Sequence, residues 1–243
     1  MCLYRARMSC QAVIRSIAVA AGLVLTACAG PSPTPGPPSP AVAAPEPSPT
    51  ARPPALPGEP LDLYPYQGAG LAVVGVAAAD TLSLRSGPGT EFDVLAELAP
   101  LTDGLRATGH NRSLPDGSWW VEVQAAGRTG WVNARFVAQP GRVTDVTAEL
   151  GRPVRAASMI ELATAVVAAR GPAGDRPEAT VIDGPRAGDL YEVVVDVLGL
   201  ADDAQTGERL HLFAVHDGAD YALRTVEATV LCVRGVSPDG ACV

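Results

Sequence analysis

Apolar and polar positions change rhythm several times along the chain, and each rhythm predicts an element. Residues 16–27, SIAVAAGLVLTA, form an apolar run of twelve behind Arg5, Arg7 and Arg15. A bilayer-spanning helix needs about 20 apolar residues, so this run fits the core of a secretory signal segment instead. Met8 is an alternative start that still leaves Arg15 ahead of the run. Residues 31–60 carry thirteen prolines among Ser, Thr and Ala. Such a stretch cannot pack a core, and as a polyproline II tether it would reach roughly 90 Å. From Leu71 the pattern becomes β-like. Runs at 71–76, 80–86, 93–98, 105–110, 118–124 and 128–132 are split by turn residues. Six short runs within about 70 residues predict a small barrel.

Beyond Pro140-Gly141 the period lengthens. Ser158 and Glu161 form a capping-box pair, and Met159, Leu162, Ala163, Val166 and Val167 recur at helical spacing. Gly171-Pro172 stops the pattern, which predicts one helix over 158–170. Strand-like runs follow at 178–183, 190–200, 208–215 and 221–235. One helix packed on an antiparallel sheet is an α+β module. The expected chain is therefore mostly β: a signal segment (1–27), a Pro-rich tether (28–62), a small barrel (68–140) and an α+β module (142–243).

All 18 basic residues are arginine, and the formal net charge is −8. Removal of residues 1–27 would delete three arginines and no acid, giving −11. An acidic chain of this kind argues against nucleic acid as partner and against adsorption to anionic lipid headgroups.

The stretch LRSGPGTEF (84–92) is Gly-rich. A phosphate cradle needs a helix opening directly after the glycines, with its N-terminus facing the anion. Here strand-like EFDVLAEL follows and the chain has no lysine, so the glycines are expected to serve a turn or a close backbone approach.

Leu25-Thr26-Ala27-Cys28 resembles the lipobox of bacterial lipoproteins. The resemblance implies cleavage before Cys28 and acylation of its sulfur. The partner would be the lipid bilayer, and the location the cell membrane, facing outside the cytoplasm. Acyl burial contributes about 0.8 kcal/mol per methylene, so anchoring would come from Cys28 and not from charge. Cys2 and Cys10 would leave with the signal. Cys232 and Cys242 then remain in an oxidising setting, where an even pair reads as a disulfide, with two free thiols as the alternative.

The segment TLSLRSGPGTEF, a Trp-rich strand, and GRTGWVNARFV at the far end resemble the bacterial SH3-like (SH3b) domain over roughly residues 70–140. Ser83, Leu84 and Phe92 depart from the residues common in that family without breaking its pattern. The resemblance implies a small β-barrel that binds and does not catalyse, with peptidoglycan or a cell-wall peptide as ligand. Alternation along 118–124 sets Trp119, Val121 and Val123 on one face, the core. Trp120, Glu122 and Gln124 take the other, where Trp120 is either half exposed for a ligand or packed under the loop NRSLPDG. Trp120, Trp131, Arg85 and Glu122 are the candidate ligand-binding residues.

Other chemistry finds little support. His211 and His216 fall on opposite strand faces, so they do not form a two-His metal site. Asp202-Asp203 lack the spacing of a calcium loop. There is no G-x-S-x-G and no zinc-ligand spacing. The expectation is no cofactor, no metal and no catalysis. The first functional reading is a lipid-anchored envelope protein that binds wall polymer. The second is an adaptor or inhibitor that docks on another envelope protein. A hydrolase using the C-terminal module comes third.

Overall fold

A computed structural model of the chain describes residues 55–171, 177–200 and 202–243. The expected signal segment, Cys28 and most of the tether lie outside the described residues. The fold is mostly β, with one open antiparallel sheet of 13 strands and one α-helix. In chain order the strands are β1 (Glu59–Leu61), β2 (Gly70–Val73), β3 (Leu82–Arg85), β4 (Val94–Leu98), β5 (Leu105–Ser113), β6 (Trp119–Ala125) and β7 (Arg128–Asn133). Next come β8 (Val137–Asp145), β9 (Arg155–Ala156), the helix α1 (Met159–Arg170), β10 (Glu178–Ala187), β11 (Tyr191–Leu198), β12 (Gln205–His216) and β13 (Tyr221–Cys232).

The sheet order is β10-β11-β12-β13-β8-β2-β5-β6-β7-β3-β4, with β1 on β5 and β9 on β13. The expected closed barrel is corrected by this path, because among the described residues β4 pairs only with β3 and no ladder closes the sheet. The physical reason lies in β8. Its first residues, Val137 and Ala138, pair with Val73 and Ala72 of β2. Its remainder, Gln139–Asp145, pairs with β13. The stretch where the expected barrel (68–140) meets the expected α+β module (142–243) is therefore a shared strand that makes one sheet of two halves.

Two cores flank this splice. One gathers Leu71, Val73, Leu82, Leu84, Leu98, Leu105, Val121, Val123 and Val132, drawn from β2 through β7. Six strands feeding one cluster require that part of the sheet to curl around it. The other core gathers Leu162 and Val166 of α1 against Val193, Val195, Leu210, Leu212 and Val226. Ser158 caps α1 as its sequence predicts, its Oγ accepting the Glu161 N–H at 3.2 Å. Gly171 ends the helix in left-handed backbone.

A buried ion pair ties the halves together. Asp196 on β11 is fully buried and accepts from Arg209 Nε at 2.7 Å and from the Gly75 N–H at 2.8 Å. The Arg209 guanidinium also donates to the Val73 carbonyl at 2.7 Å. Cys232 and Cys242 form a disulfide that closes the C-terminal loop. That loop docks on β8, where the Arg142 N–H donates to the Gly240 carbonyl at 2.8 Å.

Candidate functional site

β6 is the strand from which both candidate surfaces are built. On one face, Arg85, Trp131 and Glu122 stand in a single cross-strand row, because Trp131 pairs with Arg85 on β3 and with Glu122 on β6. Trp120, two residues from Glu122, lies on the same face opposite Arg112 and Asn133. The structure thus brings the four sequence candidates together, and also shows what occupies each of them.

Arg85 donates to the carbonyls of Thr90 at 3.0 Å and Phe92 at 2.9 Å, so its guanidinium pins the RSGPGTEF loop. Within that loop the Phe92 ring lies against Gly87, where any Cβ would collide with it. Gly89 has φ +140°, a backbone region that L side chains rarely adopt. The glycines therefore serve close approach and backbone conformation. Glu122 accepts from Thr108 Oγ1 at 2.7 Å and pairs with His110 Nδ1 at 2.7 Å.

Trp120 and Trp131 are 4% and 3% exposed. The half-exposed placement of Trp120 is therefore corrected. A segment outside the barrel pattern runs along this side of the sheet. Arg112, opposite Trp120, donates to the carbonyls of Leu56, Pro57 and Gly58 and draws the chain before β1 onto this side of the sheet. The Trp120 indole N–H is itself satisfied by Ser118 Oγ at 3.0 Å. Neither indole is open to a ligand.

The opposite face of β6 opens differently. Trp119, expected in the core, is only partly buried at its end. It lines a cleft of about 700 Å³ between the two halves of the sheet. Tyr64 packs edge-on against it, with ring centroids 5.4 Å apart. Asn111 sets that wall, its amide donating to the carbonyls of Leu63 at 2.7 Å and Pro65 at 3.4 Å. Leu71, Val137 and Leu198 supply apolar lining. Asn133 and Arg135 come from the end of β7 and the 3-10 turn after it, and Glu178 and Thr206 from the other half.

Charges at the cleft are already engaged. Arg135 bonds Glu178 at 2.9 Å across the two halves. Asp116 accepts from the Ser118 hydroxyl at 2.6 Å and N–H at 2.8 Å, and these bonds hold its carboxyl below the usual aspartate value. By contrast, the buried Trp119 Nε1 has no acceptor among the described residues, and the buried Asn111 Oδ1 has no donor. A donor left so costs about 1–3 kcal/mol.

Sequence reasoning missed Trp119, Tyr64 and Thr206. Trp119 had a signal, since it stands at the end of its strand beside the Asp116-Gly117 turn, where a core face meets solvent. Tyr64 and Thr206 had none, because their meeting depends on pairing between distant strands.

The histidines of the C-terminal half are separate, as their spacing predicts. His211 stacks on Phe213 and meets Glu192 at 3.0 Å, while His216 packs on Tyr221. Asp202 caps its own turn by accepting from the Ala204 and Gln205 N–H groups. Among the described residues no three His, Cys, Asp or Glu side chains are grouped to hold a metal ion, and no helix is long and apolar enough to cross a bilayer. No family model, no curated protein and no solved structure matches the chain.

Proposed function

We propose that this is a membrane-anchored extracytoplasmic lipoprotein that binds a cell-wall ligand, peptidoglycan in the first instance, through the Trp119 cleft. The observation that carries the reading is the cleft itself. It joins an aromatic pair, an apolar lining and a few convergent polar groups, the composition of a small-molecule or polymer site. The lipobox and Pro-rich tether supply the anchoring part of the proposal, with Cys28 as the acylated residue. The SH3-like resemblance also belongs to it. Its two motif ends, LRSGPG and GWV, meet where Arg85 pairs with Trp131, and six strands feed the same core. The site moves from Trp120 and Trp131, which are closed, to Trp119, which lines open space.

The test is co-sedimentation of the full chain, held in detergent, with protein-free sacculi. Wild type and Trp120→Phe pellet with the wall, and Trp119→Ala stays in the supernatant. Failure of the wild type to pellet overturns the wall reading and brings forward the adaptor, which would capture a defined envelope protein instead.

A further inference from the structure

Two buried polar atoms in the first half of the sheet are complementary to each other. Trp119 Nε1 is a donor without an acceptor among the described residues, and Asn111 Oδ1 is an acceptor without a donor. Their strands are neighbours. Asn111 on β5 pairs with Val121 on β6, and Trp119 stands two residues before Val121, so all three side chains share one face of the sheet. Asn111 and Trp119 are thus diagonal cross-strand neighbours, a separation that long side chains span. One strap covers both. The Asn111 amide donates to the carbonyls of Leu63 at 2.7 Å and Pro65 at 3.4 Å, and between these residues the Tyr64 ring meets the Trp119 ring edge-on. Those bonds also fix which way the Asn111 amide points. Turned over, it would set its oxygen against two carbonyls, so the stranded acceptor belongs to the fold.

A group that satisfies both atoms must accept from an N–H and donate to a C=O. It must also fit where both atoms are sealed from bulk solvent. A carboxylate only accepts and an ammonium only donates, and either would bring an unpaired charge into the interior. Water does both in the volume of one heavy atom, and buried waters bridge polar groups with about three hydrogen bonds each. A third partner is at hand, because the Leu63 and Pro65 carbonyls each keep a second lone pair. We propose that Trp119 Nε1 and Asn111 Oδ1 share one buried, long-lived water, which fastens the Leu63–Pro65 strap to β5 and β6 at once. The site stands whatever the cleft binds, and it holds the wall from which Tyr64 lines that cleft.

The test is water-selective NMR on the full chain in detergent micelles, with isotope-labelled tryptophan and asparagine. The Trp119 indole proton and the Asn111 amide protons both show cross-peaks at the water frequency. These have opposite signs in NOE and ROE spectra, the mark of a water held longer than surface solvent. Tyr64→Phe keeps the Trp119 cross-peak, since the ring stays and only a hydroxyl able to relay exchange is lost. Asn111→Leu loses it, because the acceptor for the water is gone. Where Asn111→Leu does not fold, the two wild-type cross-peaks decide the matter. Absence of a long-lived water at Trp119 or at Asn111 overturns the inference. So does a Trp119 cross-peak that persists in folded Asn111→Leu, which means two separate waters. A cross-peak that vanishes in Tyr64→Phe means relay through the phenol and overturns it equally.

Discussion

Replacing Asp196 with alanine attacks the joint between the two halves of the sheet. The carboxylate is fully buried and receives three hydrogen bonds, two from Arg209 at 2.7 and 3.0 Å and one from the Gly75 N–H at 2.8 Å. Removing it leaves the Arg209 guanidinium, whose side chain is 15% exposed, without its counter-charge, and leaves the Gly75 N–H without an acceptor. Breaking one partner of a buried pair costs about 3–5 kcal/mol. That is a large share of the roughly 5–15 kcal/mol that holds a domain. In urea, with an m-value near 2 kcal/mol/M, the midpoint falls by about 2 M. The double variant Asp196→Leu with Arg209→Met removes both charges and recovers about 2 kcal/mol or more relative to the sum of the single changes. Circular dichroism across a urea series measures wild type, Asp196→Ala, Asp196→Leu, Arg209→Met and the double variant. A loss below about 1 kcal/mol for Asp196→Ala, or strict additivity in the double variant, refutes the reasoning that this pair is buried and coupled.

Three further outcomes follow from the same structure. Cys242→Ala lowers stability by about 2–3 kcal/mol; reductant does the same to the wild type and leaves the variant unchanged, read by thermal melts. Gly130→Ala places a Cβ 2.6 Å from the Arg85 carbonyl and 3.0 Å from Leu84, forcing β7 off β3, and costs about 1–3 kcal/mol by urea unfolding. Asp116, Asp145 and Asp239 are held below the usual aspartate value of 3.8 chiefly by side-chain hydrogen bonds at Ser118, Thr147 and Ser237, and Asp202 by the Gln205 N–H. Depressed carboxyls contribute stability that is complete above their unfolded values and is lost as pH falls through their lower native values. The melting temperature therefore holds from about pH 7 to pH 5 and declines below about pH 4, and an unchanged melt at pH 3 contradicts the assignment.

Much of the architecture was legible in the residues. The cap of α1 announced itself through Ser158 and Glu161, and every expected strand run has a counterpart. The missing strands were hidden by their composition. β8 contains Pro140-Gly141, which by itself signals a turn, yet these residues lie in the strand that joins the halves. β1 sits in the Pro-rich stretch and β9 has two residues. Barrel closure was misjudged because strand count does not say where the last edge goes.

The site was legible only in part. Alternation correctly put Trp120 and Glu122 on one face, but the cross-strand pairs that add Trp131 and Arg85 to it are not local, and neither is exposure. The chain before β1 reaches Arg112, beside Trp120, from more than fifty residues away in sequence. The cleft is non-local in the same way, since Thr206 and Glu178 meet Trp119 only because β8 splices the halves.

The chain holds three tryptophans, Trp119, Trp120 and Trp131, and therefore three indole N–H resonances. The most direct test of the cleft is to follow these three by NMR while solubilised peptidoglycan fragments are added to the full chain in detergent micelles. The account predicts that the Trp119 indole resonance shifts as a ligand packs beside its ring while those of Trp120 and Trp131 hold still. Movement of Trp120 or Trp131 with Trp119 unchanged would put the ligand on the opposite face of β6 and contradict the account.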